Sequence, residues 1–238
     1  MSVRIRPLRL EGFEQLPKHA RQCVFWEVDP QTLARGDELA DPEFEKEAWL
    51  SMVMLEWGSC GQVAVAESDD PGAEPDDEPC VGFVLYAPPR VVPRAQRFPT
   101  GPVSADAVLL TSMGVESDND TAGVQALLIG QVVNELVRRG VRALEAFGRT
   151  AEATEALAEG GVDPELTAVI EALGECSFER CMIDADFLLS AGFTVIAPHA
   201  YFPRLRLELD KGLGWKAEVE AALERLLESA QLHEVTLR

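Results

Sequence analysis

Residues 107–115 read A-V-L-L-T-S-M-G-V, an almost continuous apolar run that contains β-branched side chains. A run of this length and composition fits a central strand that is buried on both faces. A polar, turn-rich stretch follows at 116–123, then apolar residues at helical spacing over 124–139, then a second strand-like run at 141–147. Strand, helix and strand in this order predict a βαβ crossover with a parallel pair of strands. We therefore expect an α/β protein built around this unit.

The segments on either side of this unit extend the predicted sheet and its helical layers. Alternating or short apolar runs predict further strands at 3–10, 62–66, 81–86, 193–197 and 201–209. Helices are predicted at 12–27, 41–58, 163–174, 184–191 and 215–232. The strands at 62–66 and 81–86 should form a hairpin, because only a loop rich in acids, proline and glycine separates them.

The helix at 41–58 has the clearest start signal in the chain. Asp41 is a typical N-cap residue, and Pro42 occupies the first helical position, where a missing N–H has no cost. One apolar stripe recurs along it at a spacing of three and four residues, and we expect that stripe to face the core. The stripe consists of Phe44, Ala48, Met52 and Leu55.

The charge of the chain excludes two classes of function. The 238 residues contain 41 acidic and 21 basic side chains, a net charge of −20. No nucleic-acid partner is expected, since phosphates would be repelled, and docking on anionic lipid is disfavoured. No apolar run approaches the roughly 18 residues of a membrane span. Five cysteines without CxxC spacing, after an N-terminus that lacks a signal-peptide core, predict reduced thiols in a cytoplasmic protein.

The organisation along the chain predicts one main domain. We expect this domain over 3–210, with an acidic, flexible loop at 67–80 inside it. That loop holds seven acidic residues and no base. Residues 211–238 should form an amphipathic helix and tail outside the domain. This last helix is a candidate surface for pairing two copies into a homodimer.

Two short segments carry a family resemblance. The stretch after the buried strand reads D-T-A-G-V-Q at 120–125, and a second reads C-M-I-D-A-D-F-L-L-S-A-G-F at 181–193. Together with the order of elements, they resemble the GNAT N-acetyltransferase superfamily over 3–210. An uncharacterised bacterial subgroup is especially similar, for example at 23–27 (C-V-F-W-E) and 86–89 (Y-A-P-P). The resemblance implies a mixed, mostly antiparallel sheet that splays between its fourth and fifth strands, with flanking helices and here an extra C-terminal helix.

The resemblance also implies acetyl-CoA, or another acyl-CoA, as co-substrate. In the family, backbone N–H groups of the loop after the fourth strand bind the pyrophosphate at the positive end of a helix. The positions that this assigns to the cofactor are Met113, Gly114, Val115, Asp120, Thr121, Ala122, Gly123, Val124, Gln125 and Cys181. Only Gly123 matches the glycine pattern of that loop. Asp118 and Asp120 instead place negative charge beside a phosphate site.

Catalytic residues are less clear from the family pattern. Leu188 stands where the family often has a tyrosine that protonates the leaving thiolate, and leucine has no proton to donate. An amine acceptor must also lose a proton before it attacks a thioester. Glu145 and Tyr86 are the catalytic candidates, with Asp106 as a further carboxylate. Two functions stay open: an N-acyltransferase for an unidentified amine, and a degenerate GNAT-fold protein that acts as a binding or regulatory module.

Histidine and cysteine positions give no metal prediction. His19, His199 and His233 lie far apart and show neither HxH nor HExxH spacing, so no metal site is expected. Cys181 would need a lowered pKa and a partner such as His199 to act as a nucleophile. We expect it to be a buried, inert thiol.

Overall fold

The computed structural model describes residues 3–34, 41–67, 79–116, 121–158, 163–174 and 176–209. The strands are β1 (Val3–Pro7), β2 (Gly61–Ala66), β3 (Cys80–Ala87), β4 (Ala107–Val115), β5 (Ala143–Arg149), β6 (Ile183–Asp184), β7 (Thr194–Ala197) and β8 (Arg204–Glu208). The α-helices are α1 (Lys18–Gln22), α2 (Pro30–Ala34), α3 (Pro42–Trp57), α4 (Thr121–Arg138), α5 (Ala151–Ala158), α6 (Pro164–Leu173), α7 (Phe178–Cys181) and α8 (Ala185–Ser190). Short 3₁₀ helices span Leu10–Gln15, Pro89–Val91 and Pro93–Arg97.

The strands form one mixed sheet in the order β1-β2-β3-β4-β5-β8-β7, and β6 pairs with β5 outside this path. All pairs along the path are antiparallel except β4 with β5, which are joined by the crossover helix α4. The parallel pairing covers only Ala107–Leu110 against Ala143–Ala146 and then stops. The mixed, mostly antiparallel sheet and its opening between the fourth and fifth strands are therefore confirmed, as is the topology implied by the resemblance to GNAT enzymes.

Two hydrophobic layers cover the sheet, one on each face. Helices α1, α3, α6 and α7 pack on the face that carries Phe83, Leu109 and Phe147. Helices α4 and α8 pack on the opposite face, against Tyr86 and Leu144. This alternation follows from the period of two along each strand, which sends neighbouring side chains to opposite faces. Burial on both faces also explains why residues 107–115 read as a continuous apolar run.

Helix α3 begins as predicted but turns a different face to the core. The Asp41 carboxylate accepts hydrogen bonds from the backbone N–H groups of Glu43 and Phe44. The predicted core stripe is wrong, because Phe44 is 63% exposed and Leu55 is 85% exposed. The residues of α3 that are buried are Lys46, Trp49, Leu50 and Val53. Both sides of the helix carry apolar residues at helical spacing, and the side with Trp49 removes the larger area from water.

Several other predictions are refined or fall outside the described residues. The predicted helix at 12–27 is a 3₁₀ turn followed by the five-residue α1, since Pro17 separates the two. The segments α5, α7 and β6 were not predicted. Most of the acidic loop, Asp118, Asp120 and the helix at 215–232 lie outside the described residues. Within the part of the chain that the structure describes, no helix combines the length and apolarity needed to cross a bilayer.

Candidate functional site

Strand β4 has an edge inside the sheet along which part of the strand pairs with no other described strand. On one side it pairs with β3 over Leu109–Val115, but on the other side it pairs with β5 only as far as Leu110. Among the described strands, none pairs with Thr111–Val115 on the β5 side. Backbone N–H and C=O groups of a buried strand require hydrogen-bond partners. This edge therefore offers a row of donors and acceptors to a ligand.

The short strand β6 lines the opposite side of this opening. Strand β8 pairs with the edge of β5 that faces away from β4. This pairing of β5 with β8 extends to Gly148, whose N–H donates to the Pro203 carbonyl at 2.9 Å. Strand β6 pairs in parallel with Gly148–Arg149, so it must use the β5 edge that faces β4. Ile183–Asp184 consequently lies between the diverging ends of β4 and β5. We call the edge of Thr111–Val115, together with the facing residues Ile183–Asp184, the β4–β6 slot.

Helix α4 begins close to the mouth of the β4–β6 slot. It starts at Thr121, after β4 ends at Val115, and runs for 18 residues. The first turn of a helix is the positive end of its dipole. Gly123 and Val124 lie in this first turn, and Gln125 follows them. The structure thus brings the predicted cofactor positions on β4 and on α4 to one end of the sheet, while Asp120 lies outside the described residues.

Glu145 lies on the paired part of β5, outside the slot, in a buried ion cluster. Its Oε2 accepts from Arg204 Nη1 at 2.5 Å and from the Ser104 N–H at 3.1 Å, and its Oε1 accepts from Arg206 Nη1 at 3.0 Å. Burial alone would raise the pKa of this carboxyl, but the bonds from Ser104 and the two arginines outweigh it and lower the pKa. Both oxygens have cationic donors. These contacts favour a structural role, and the role of general base stays a prediction.

Asp106 belongs to the same cluster. Its carboxylate binds Arg206 through two parallel contacts, at 3.0 and 3.1 Å. Hydrogen bonding to this guanidinium lowers the pKa of Asp106. The signal that sequence reasoning missed is the alternation of Arg204 and Arg206 on β8, opposite the single carboxylate of β5. Residues two apart on a strand share a face, and this places both guanidinium groups on the same partner.

Tyr86 is completely buried on the face of the sheet that packs against α4. Its hydroxyl accepts from Gln62 Nε2 at 3.1 Å, and the Trp57 ring meets its ring edge-on with 6.0 Å between centroids. Burial raises the pKa of the phenol. Tyr86 pairs with Leu110, where β4 and β5 are still joined, so it does not lie along the slot edge. Its catalytic role also stays a prediction.

Tyr86→Phe separates a structural from a catalytic role. We expect this change to lower the free energy of unfolding by about 1–2 kcal/mol, because the buried Gln62 amide loses its hydrogen-bond partner. Urea denaturation measures this effect. If the hydroxyl is only structural, the rate of any reaction that the protein catalyses should stay the same. A fall in rate of more than about 100-fold with unchanged stability would instead identify Tyr86 as a general acid or base.

Cys181 is buried at the end of α7, two residues before the slot wall. A hydrogen bond with Cys176 and its own burial raise the pKa of this thiol to about 12. His199 does not contact it: His199 Nδ1 accepts from the Tyr201 and Phe202 N–H groups at 3.0 and 3.1 Å. A protonated thiol without this partner is a poor nucleophile. The expectation of a buried thiol at this position is confirmed by its 2% exposure.

Comparisons with known proteins show likeness at the level of fold. No family model matches the chain, and no curated protein matches it. The solved PaiA N-acetyltransferase of Thermoplasma acidophilum, in complex with coenzyme A, is similar with a TM-score of 0.48 and 12% identity, over 87% of this chain and 99% of that one. An N-acetyltransferase of Staphylococcus aureus Mu50 has a TM-score of 0.44 and 13% identity, over 88% and 99% of the two chains.

A third solved structure is also similar. The ribosomal-protein-S18-alanine N-acetyltransferase of Escherichia coli has a TM-score of 0.40 and 13% identity, over 87% of this chain and 94% of that one. At these identities and TM-scores, the function of this chain has to be argued from its own residues. The class that its sheet topology defines is a GNAT-like α/β fold with an opening between β4 and β5.

Proposed function

We propose that this protein binds an acyl-CoA, in the first place acetyl-CoA, in the β4–β6 slot and transfers the acyl group to an amine. One observation supports this most directly: an edge of β4 that pairs with no described strand leads to the N-terminus of a long helix. The backbone of Met113–Val115 can hydrogen-bond the amides of the pantetheine arm. The first turn of α4, the positive end of the helix dipole, can attract the pyrophosphate. The cofactor would supply the activated thioester carbonyl.

The residues of the chain then have to position the acceptor amine and handle its proton. Leu188 is completely buried and has no proton to donate, so the leaving thiolate takes its proton from solvent. Among the described strands that line the slot, β6 carries one carboxylate, Asp184. Its Oδ1 accepts from the N–H groups of Asp186 and Phe187, and its Oδ2 lies 4.0 Å from Arg149 Nη2. Beside Glu145 and Tyr86, Asp184 is the further candidate for accepting the amine proton, directly or through water.

A second function is supported by different residues. A GNAT-fold protein without catalysis would act as a binding or regulatory module. The sequence departures at Asp120, Gln125 and Leu188 favour this alternative, and so does β6, which occupies part of the opening between β4 and β5. In this case the slot would bind an acyl-CoA weakly, or bind it without turnover.

Titration calorimetry with acetyl-CoA and with coenzyme A, followed by a thiol-release assay over a panel of amines, separates the two functions. Saturable binding with thiol release that depends on an amine supports the acyltransferase. Binding without release for any amine supports the non-catalytic module. The absence of heat at millimolar ligand, together with no competition by coenzyme A, would contradict the proposed use of the slot.

Asp120→Arg should tighten the binding of coenzyme A about tenfold, since about 1.4 kcal/mol corresponds to that factor. Two unit charges about 5 Å apart at an effective dielectric near 20 interact by about 3 kcal/mol, and salt screening reduces this. Replacing an acid by a base at the pyrophosphate therefore turns repulsion into attraction. Calorimetry at fixed ionic strength measures the change.

Glu56→Arg is the matched control for this variant. Glu56 is exposed near the C-terminal end of α3 and undergoes the same change of charge. It precedes β2, whose first residue pairs with Leu85 near the far end of β3, away from the first turn of α4. This variant should bind coenzyme A as the unchanged protein does. Equal affinity for all three proteins would show that the pyrophosphate does not bind near residue 120.

A further inference from the structure

Three metal-ligating side chains meet on the face of the sheet opposite to α4. The Cys23 Sγ lies 3.4 Å from the Cys181 Sγ, and the Cys181 Sγ lies 3.9 Å from His19 Nε2. All three potential ligand atoms lie within 4.8 Å of one another. They line a cavity of about 480 Å³, and Cys176 lines the same cavity. We call His19, Cys23 and Cys181 the thiol–imidazole cluster.

Two of the three ligand–ligand distances in the cluster are close to the spacing around a tetrahedral zinc ion. With Zn–S near 2.3 Å and Zn–N near 2.0–2.1 Å, ligand sulfurs lie about 3.8 Å apart, and a sulfur lies about 3.6 Å from a nitrogen. The observed 3.4 and 3.9 Å are both within about 0.4 Å of these values. We propose that the thiol–imidazole cluster binds one zinc ion, with Cys176 as the fourth ligand.

The backbone around the cluster is held by hydrogen bonds that keep the ligands in place. The Cys23 N–H donates to the His19 carbonyl at 2.8 Å, which sets the two ligands one helical turn apart. The Cys181 N–H donates to the Ser177 carbonyl at 2.9 Å, and Trp26 Nε1 donates to the Cys181 carbonyl at 2.9 Å. The spacings are thus H-x₃-C and C-x₄-C, similar to those of zinc sites. A site held in this way loses little conformational freedom when the metal binds.

The charges around the cluster suit a zinc ion with three thiolates, a group of net charge −1. Zinc binding uses the neutral imidazole of His19 and the deprotonated thiols. Arg180 lines the same cavity and can offset this negative charge, whereas Lys46 is paired with Glu27. Thiolates select zinc over Mg²⁺ and Ca²⁺, which prefer oxygen ligands.

A zinc ion at this position would join two parts of the chain that are distant in sequence. His19 and Cys23 belong to α1 and its C-terminal end, while Cys181 ends α7 and precedes the slot wall at Ile183 by two residues. The ion would therefore act as a structural clamp behind the β4–β6 slot. The zinc site requires neither coenzyme A nor acyl transfer, so its test is independent of the test of the proposed function.

Elemental analysis of the full-length protein tests the site. The protein is purified under reducing conditions with added Zn²⁺ and then dialysed, and we expect one zinc ion per chain. Cys23→Ser and Cys181→Ser should each lose the metal, and His19→Ala should bind it at least tenfold more weakly. Replacing zinc by Co²⁺ should give intense thiolate-to-cobalt charge-transfer bands, and these should weaken in Cys176→Ser.

The matched control is Cys80→Ser, which removes a half-buried thiol on β3 outside the cluster and should keep one zinc ion. Circular dichroism identifies any variant that fails to fold, and His19→Ala, which changes only a half-buried ring, then carries the test. A protein that retains no zinc after loading under reducing conditions would overturn the proposal. So would equal zinc content in all variants.

Discussion

Glu145→Ala is expected to lower the free energy of unfolding by about 3–5 kcal/mol, the usual cost of removing one partner from a buried ion pair. Glu145 is completely buried, and Arg204 and Arg206 are only 13% and 14% exposed. The change leaves both guanidinium groups without their shared carboxylate and leaves the Ser104 N–H without an acceptor. Equilibrium denaturation in urea at neutral pH measures the loss.

Glu208→Ala is the control for this variant, because it removes a carboxylate from the same Arg206 at a half-exposed position. Exposed ion pairs contribute about 0–1 kcal/mol, so this loss should be small. A loss for Glu145→Ala as small as that of the control would mean that the cluster contributes little to stability.

The stabilisation by Glu145 should also depend on pH in a defined direction. Its pKa is lowered in the folded protein, so its contribution is complete above the unfolded pKa of about 4.3 and is lost as the pH falls through the folded value. The difference in stability between the unchanged protein and Glu145→Gln should therefore be largest at neutral pH and shrink in acid. A difference that stays constant down to pH 3 would contradict this account.

Lys46→Met is expected to have a comparable effect, again about 3–5 kcal/mol. Lys46 Nζ donates to Glu27 Oε1 at 2.6 Å and to the Cys23 carbonyl at 3.0 Å, and both side chains of the ion pair are buried. The other carboxylate oxygen of Glu27 has no partner among the described residues. Lys46→Met would leave the buried Glu27 carboxylate without a counter-ion. This lowers the free energy of unfolding far more than the removal of both charges does.

The double variant Glu27→Gln/Lys46→Met tests this explanation. Because it removes both charges, it should recover more than half of the stability lost in Lys46→Met. Denaturation of the single and double variants under identical conditions gives the coupling between the two residues. If the double variant is as unstable as the single one, the loss arises from the packing of the lysine stem and not from an unpaired charge.

The sequence was sufficient to predict the centre of the fold. Strand β4 has the bounds that the apolar run 107–115 predicts, and α4 and β5 follow within two or three residues of theirs. These elements could be predicted because strands that are buried on both faces have continuous apolar sequences. The two-residue strand β6 could not be predicted, since a strand that short has no sequence periodicity. Its position depends on β5, a partner strand far away in the chain.

The side-chain clusters show a different limit. His19 and Cys23 lie four positions apart within the predicted helix at 12–27 and therefore on the same helix face. This spacing could have indicated a pair of ligands, but histidine spacing alone does not reveal it. Their third partner, Cys181, lies 158 positions from Cys23, and no local pattern indicates this proximity. The buried face of α3 was predicted wrongly for another reason. The helix carries apolar residues on two sides, and only the packing of Trp49 shows which side is buried.

The pairing of β6 with β5 has a kinetic consequence for the slot. Gly148 and its partner Ile183 lie 35 positions apart, whereas a tight hairpin joins its strands through a few residues. Closing a loop of that length costs conformational entropy before any hydrogen bond repays it. Pairings of high contact order form slowly. The wall of the slot is therefore expected to assemble after the β2–β3 hairpin, in which Val65 and its partner Cys80 lie only 15 positions apart. A ligand could be held there only once this later pairing has formed.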